Sequence, residues 1–101
     1  MKIQCACGHL IVDQTDGLKH KGHLIADVHW FNFWDAVDAA IAETDEALKE
    51  QASMPLRRQK IFRQVWECTQ CGKLYVDDKN SRLISFSPDA GTYQGVLDRE
   101  D

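Results

Sequence analysis

The sequence predicts an α+β fold in one domain, a small antiparallel β-sheet into which one α-helix is inserted. Three observations carry that expectation. A short cysteine-bearing pattern occurs twice, at residues 3–13 and 66–77, with helical spacing in the stretch between the copies. The length of 101 residues, 44% hydrophobic and 28% charged, suits one compact domain and excludes a large multidomain enzyme. The expected organisation is a sheet from residues 1–17 and 61–87, an inserted strand-helix unit at 18–60 and a tail at 88–101.

The first copy reads Ile3-Gln4-Cys5-Ala6-Cys7-Gly8-His9-Leu10-Ile11-Val12-Asp13, and the second Trp66-Glu67-Cys68-Thr69-Gln70-Cys71-Gly72-Lys73-Leu74-Tyr75-Val76-Asp77. In each, a strand-like step leads into two close cysteines, then a glycine, a basic-type residue, and an apolar run ending in Val-Asp. This is the outline of a knuckle, a tight turn between strands that presents two thiolates. The glycine behind the second cysteine supplies the positive φ such a turn needs. Backbone N–H groups of the turn can point at the sulfurs and orient them on a metal.

Two facing knuckles would place Cys5, Cys7, Cys68 and Cys71 around one metal ion, and the expected ion is Zn2+. With no ligand position left open, the site is expected to be structural. On these motifs the chain resembles the zinc-ribbon group over residues 1–17 and 61–87. It departs from the usual pattern at the first knuckle, where one residue rather than two separates the cysteines, so His9 is an alternative ligand there. Buried free thiols are the plain alternative, which the repetition disfavours. A redox reading of Cys68-Thr69-Gln70-Cys71 would need the motif at the start of a helix, whereas Leu74-Tyr75-Val76 reads as a strand.

Sixty residues separate Cys7 from Cys68. Closing such a loop costs on the order of 3–4 kcal/mol, against ~10–16 kcal/mol of apparent binding free energy for structural zinc, so the insertion is tolerable. Within it, His23, Ile25, Asp27 and His29 alternate with Leu24, Ala26, Val28 and Trp30, which predicts a half-buried strand over 22–30. Asn32 is the expected helix cap, with Asp35 in the first turn. The helix is expected from about Phe33 to Gln51, with Phe33, Trp34, Val37, Ile41, Thr44 and Leu48 as its core stripe. Ser53-Met54-Pro55 is expected to end it. After the second knuckle, Asp77-Asp78-Lys79-Asn80 has turn chemistry, Arg82–Phe86 reads as a return strand, and Pro88 stops it. Beyond it Tyr93, Val96 and Leu97 are candidates to dock.

Twelve Lys and Arg against sixteen Asp and Glu leave a net charge of −4, which argues against a polyanion as the main partner. The charges are segregated. Residues 35–50 hold six acidic side chains against the single Lys49, and Arg57, Arg58, Lys60 and Arg63 follow. The solvated-surface reading of both runs stands beside two functional ones. The first is a protein-binding module whose Asp35, Asp38, Asp45 and Glu46, with the aromatic entry Trp30, Phe31, Phe33 and Trp34, engage a basic partner. The second is a nucleic-acid-associated or regulatory zinc ribbon using the basic cluster, and overall acidity favours the first.

His23, Asp27 and His29 would share a strand face, which permits a second metal site, although surface histidines are the simpler reading. No nucleophile elbow, phosphate loop or metalloprotease helix accompanies them, so no catalytic residue is expected. The first thirty residues lack an apolar run long enough for a signal peptide or membrane span, and the expected compartment is the cytoplasm. In size, in the acidic-aromatic segment from Asp27 to Glu50 and in the appended ribbon, the whole chain also resembles the immunity proteins found beside bacterial polymorphic toxins. That resemblance implies a stoichiometric inhibitor whose acidic face covers a basic toxin domain.

Overall fold

Strand formation follows the two cysteine repeats. The computed structural model describes residues 1–58 and 61–98, Arg57 and Arg58 by backbone alone. Around the first repeat, β1 (Lys2–Gln4) and β2 (Leu10–Val12) pair antiparallel, with Ile3 opposite Ile11. Around the second, β4 (Phe62–Glu67) and β5 (Leu74–Asp77) pair antiparallel, with Trp66 opposite Tyr75. With β3 (Lys21–Ile25) and β6 (Leu83–Phe86) they form a four-stranded sheet in the order β3-β4-β5-β6. Two helices, α1 (Asp27–Ala42) and α2 (Glu46–Arg58), occupy the insertion, so the fold is α+β with two antiparallel sheets.

The chain divides into two units, Met1–Leu24 with Arg63–Asp101, and Ile25–Phe62. In the first, alternation along the short strands turns Ile3, Ile11 and Trp66 inward, where they form one buried cluster with Cys5 and Cys68, and Cys71 and Tyr75 pack against it. The core and the thiol cluster are thus continuous. Trp66 is 1% exposed, and its indole N–H donates to Asp13 Oδ2 at 3.0 Å. The same oxygen holds Lys21 Nζ at 2.8 Å. These two donors, Lys21 foremost, keep the Asp13 carboxyl below its ordinary pKa, because both favour the charged form.

Glu67 is buried on the same strand, at 2% exposure. Its two carboxylate oxygens accept the backbone N–H groups of Val96 (3.1 Å) and Leu97 (3.2 Å), which pins the C-terminal segment to β4. A buried carboxylate is tolerated when charge-assisted hydrogen bonds replace its lost hydration.

The insertion departs from expectation in three places. First, β3 ends at Ile25 and α1 begins at Asp27, so His29, Trp30 and Asn32 are helical rather than strand and cap. The position before the helix is Ala26, without a side-chain cap, and Asp27 supplies the negative charge of the first turn. Apolar residues at every other position over so short a run do not separate a strand from the start of a helix that is apolar on several faces.

Second, the single helix of 33–51 is two helices broken at Glu43–Asp45. Asp45 caps α2, its Oδ1 accepting the N–H groups of Ala47 (2.9 Å) and Leu48 (3.2 Å). Glu43 Oε1 accepts those of Thr44 (3.1 Å) and Asp45 (3.3 Å). Local acceptors thereby compete with helix continuation. The core stripe breaks with it: Phe33, Ala36, Val37 and Ala40 are the covered residues of α1, whereas Trp34, Ile41, Thr44 and Leu48 are exposed. Third, α2 runs through Pro55 to Arg58. The proline leaves the Gln51 carbonyl without its helical donor, but both residues are exposed, where solvent can serve.

Candidate metal centre

The β1–β2 turn and the β4–β5 turn are built alike although one is a residue shorter. In the first, the Cys5 N–H donates to His9 O (2.9 Å) and the Gly8 N–H to Cys5 O (3.0 Å). In the second, the Cys68 N–H donates to Lys73 O and the Gly72 N–H to Cys68 O, both at 2.9 Å. Gly8 and Gly72 both take positive φ, 98° and 83°, which relieves the turn at the residue after the second cysteine. Deleting one spacer residue leaves the shape of the turn intact.

The two turns bring Cys5, Cys7, Cys68 and Cys71 together, with all four sulfurs within 4.8 Å of one another. Cys5 Sγ lies 3.5 Å from Cys71 Sγ, and Cys7 Sγ 3.6 Å from Cys68 Sγ. A tetrahedron with Zn–S bonds of ~2.3 Å has sulfur–sulfur edges of ~3.8 Å, close to these separations. The four sulfurs are therefore placed to coordinate a metal ion. Among the described residues no histidine joins them or forms a comparable cluster. His9 contributes its backbone instead, and His20 Nε2 lies 2.8 Å from Val12 O. His23 is on β3 and His29 on α1, so the common strand face that would have joined them with Asp27 does not form.

Backbone amides and one phenol tune the sulfurs. The N–H two residues downstream points at each of three sulfurs: Cys7 at Cys5, His9 at Cys7, and Lys73 at Cys71. Tyr75 adds its hydroxyl, which donates to the Cys5 sulfur and accepts the Ala6 N–H at 3.3 Å. Burial works against the Cys5 thiolate, but these donors outweigh it and bring its pKa down to about 6. At Cys71 the Lys73 amide favours the thiolate, yet burial and the three neighbouring sulfurs win and push the pKa up to about 12. At Cys7 the His9 amide favours the thiolate, yet burial and the Cys5 and Cys68 sulfurs raise the pKa. Crowded sulfurs without a cation cannot all ionise, so the geometry suits a doubly charged ion that neutralises them.

Tyr75 was not a candidate from sequence, because a tyrosine two residues into a strand reads as packing. Replacing it, Tyr75→Phe, is expected to keep the fold and reduce metal affinity by about 10–100-fold, the usual effect of losing a hydrogen bond to a ligating atom. Competition titration against a chromophoric chelator measures this.

Residues 1–93 match a family described as a domain of unknown function, DUF8617. The chain belongs to that family. No match was found among characterised proteins or among solved structures. The matched stretch contains both knuckles and both helices of this family member.

The candidate partner-binding residues sit on the helical unit. Asp35 and Asp38 are exposed on α1, while Asp45 caps α2 and Glu46 opens its first turn. In the basic cluster, Arg63 donates from Nη1 to Asp78 O at 3.0 Å. The side chains of Arg57 and Arg58 and the whole of Lys60 lie outside the described residues. No helix among the described residues is long and apolar enough to cross a membrane.

Proposed function

We propose that this protein is a non-catalytic, zinc-stabilised protein-binding module of the cytoplasm, which neutralises a basic bacterial toxin domain by one-to-one binding. The observation that carries the zinc reading is the set of four sulfurs at tetrahedral spacing, all cysteine, with no place kept for water or substrate. Such a site holds a fold together. Partner binding is supported by the charge of the helical unit, whose α1 carries Asp27, Asp35 and Asp38 and no Lys or Arg. A basic cleft would be drawn to that surface and steered by it.

Charge reversal on α1 tests the reading. Asp35→Lys with Asp38→Lys changes two exposed positions in a helix interior and should leave melting nearly unchanged. Asp45 is unsuitable, because losing its cap would cost about 1 kcal/mol. Against a partner recovered from native cells as a one-to-one complex, the double variant is expected to associate at least tenfold more slowly at low salt. The difference should shrink as added salt screens the charges. Unchanged association rates would remove α1 from the interface.

A further inference from the structure

Helix α1 has two apolar faces, and among the described residues only one is covered. Phe33, Ala36, Val37 and Ala40 are the covered side, and α1 packs against α2. On another side, Asp27, Trp30, Phe31, Trp34, Asp38 and Ile41 follow one another at intervals of three, one, three, four and three residues. That spacing places them on a single stripe about four turns long. All of it is open: Trp30 is 43% exposed, Phe31 60%, Trp34 45% and Ile41 65%. The two indoles already hold each other edge-on, with ring centroids 5.6 Å apart, and Phe33 backs Trp34 at 5.7 Å. Three large aromatic side chains and an isoleucine exposed in one row exceed what a monomer ordinarily leaves to water, and Trp is the residue most enriched among binding hot spots.

The charges decide what covers this row. Its two polar members are both aspartates, Asp27 and Asp38, and Asp35 stands beside it. With no cation on the helix, a second copy laid on the stripe would bring only carboxylates to carboxylates, and an anionic membrane would be repelled. A ligand that satisfies both the apolar row and its acidic members must itself be an apolar stripe flanked by cations.

We infer that the Trp30–Phe31–Trp34–Ile41 stripe is a docking surface for a basic amphipathic α-helix of a partner protein. This rests on the proposed protein-binding reading and specifies it: the aromatic row is the anchor, and the aspartates set on-rate and orientation. Trp34, at the centre with its indole held by Trp30 and Phe33, is the expected hot spot.

Three synthetic 18-residue peptides test this on the full zinc-loaded chain. One has leucines at helical spacing flanked by lysines, one has the same composition in an order without a stripe, and one has glutamates for lysines. The first is expected to bind in the micromolar range and gain helicity, and the other two to bind at least tenfold more weakly. Trp34→Ala should weaken the first by about thirtyfold, and Phe31→Ala with Ile41→Ala should do the same independently. Unchanged zinc content and melting would exclude misfolding.

If the stripe-less lysine peptide binds equally well and Trp34→Ala has no effect, the docking stripe is refuted while the acidic-surface reading survives. If lysine and glutamate peptides bind alike, the charge reading fails. Failure of every peptide overturns the inference. So does concentration-dependent dimerisation abolished by Trp34→Ala, or binding to vesicles of phosphatidylcholine with phosphatidylglycerol.

Discussion

Removal of the proposed zinc ion by a strong chelator is expected to unfold the unit built from Met1–Leu24 and Arg63–Asp101. Structural zinc supplies ~10–16 kcal/mol of apparent binding free energy, as much as the whole stability of most domains, ~5–15 kcal/mol. The dependence here should be severe, because Cys5 and Cys68 are two of the five residues in the buried cluster and sit beside Trp66. Without the ion, four sulfurs as close as 3.5 Å would be left crowded at the edge of the core, with one thiol at about 6 and another near 12.

Because binding requires thiolates, acidification should act in the same direction as the chelator: protons compete with the ion, and stability falls with pH. Elemental analysis should give one zinc per chain, and calorimetry should show the transition collapse on chelation. Cys68→Ser should lose the metal and His9→Ala keep it. Protein purified without zinc, with melting indifferent to chelator, would overturn the assignment.

Gly72→Ala is expected to be far more damaging than Gly8→Ala, although the two glycines occupy equivalent places. Both have positive φ, so either substitution carries about 1–2 kcal/mol of backbone strain. At Gly8 nothing lies within 4 Å of a new methyl. At Gly72 it would meet Thr92 O at 2.7 Å and Tyr93 Cα at 2.9 Å, both main-chain atoms. The C-terminal segment must therefore move off the second knuckle, straining the hydrogen bonds that Glu67 accepts from Val96 and Leu97.

A total near 4 kcal/mol follows, against at most about 2 at Gly8, as the displaced segment loses bonds to a charged acceptor worth ~1.5–3 kcal/mol each. Thermal melts of the two zinc-loaded variants compare them directly. Equal destabilisation would mean that the tail does not seat on the knuckle.

Both knuckles were legible in the linear sequence because everything they need is local. Two cysteines, a glycine after the second and an apolar run behind it specify a turn, its φ and its strands within about a dozen residues. Their repetition is enough to mark the four sulfurs as one set. The spacer of one residue at Ala6 left His9 open as a ligand, and only the folded turn, with the same pair of hydrogen bonds as its longer counterpart, shows its imidazole outside the cluster.

The helical insertion was harder to read for a physical reason. Apolar residues crowd 24–41 on more than one face, so strand alternation and helix periodicity fit the same letters, and the choice fell to packing. The break at Glu43–Asp45 depends on which backbone N–H groups the two side chains reach, and Asp45 looks like one more surface charge until α2 begins after it.

Glu67 and the C-terminal segment mark the limit most clearly. A glutamate before a cysteine carries no sign of burial, and residues 95–98 have no periodicity; their order comes from meeting 29 and 30 residues apart in sequence. Sequence alone determined the two cysteine turns, whose energetics are local. Tertiary structure decided where the helices divide, what fastens the tail and which face of α1 stays open, because burial at each of those places is set by residues distant along the chain.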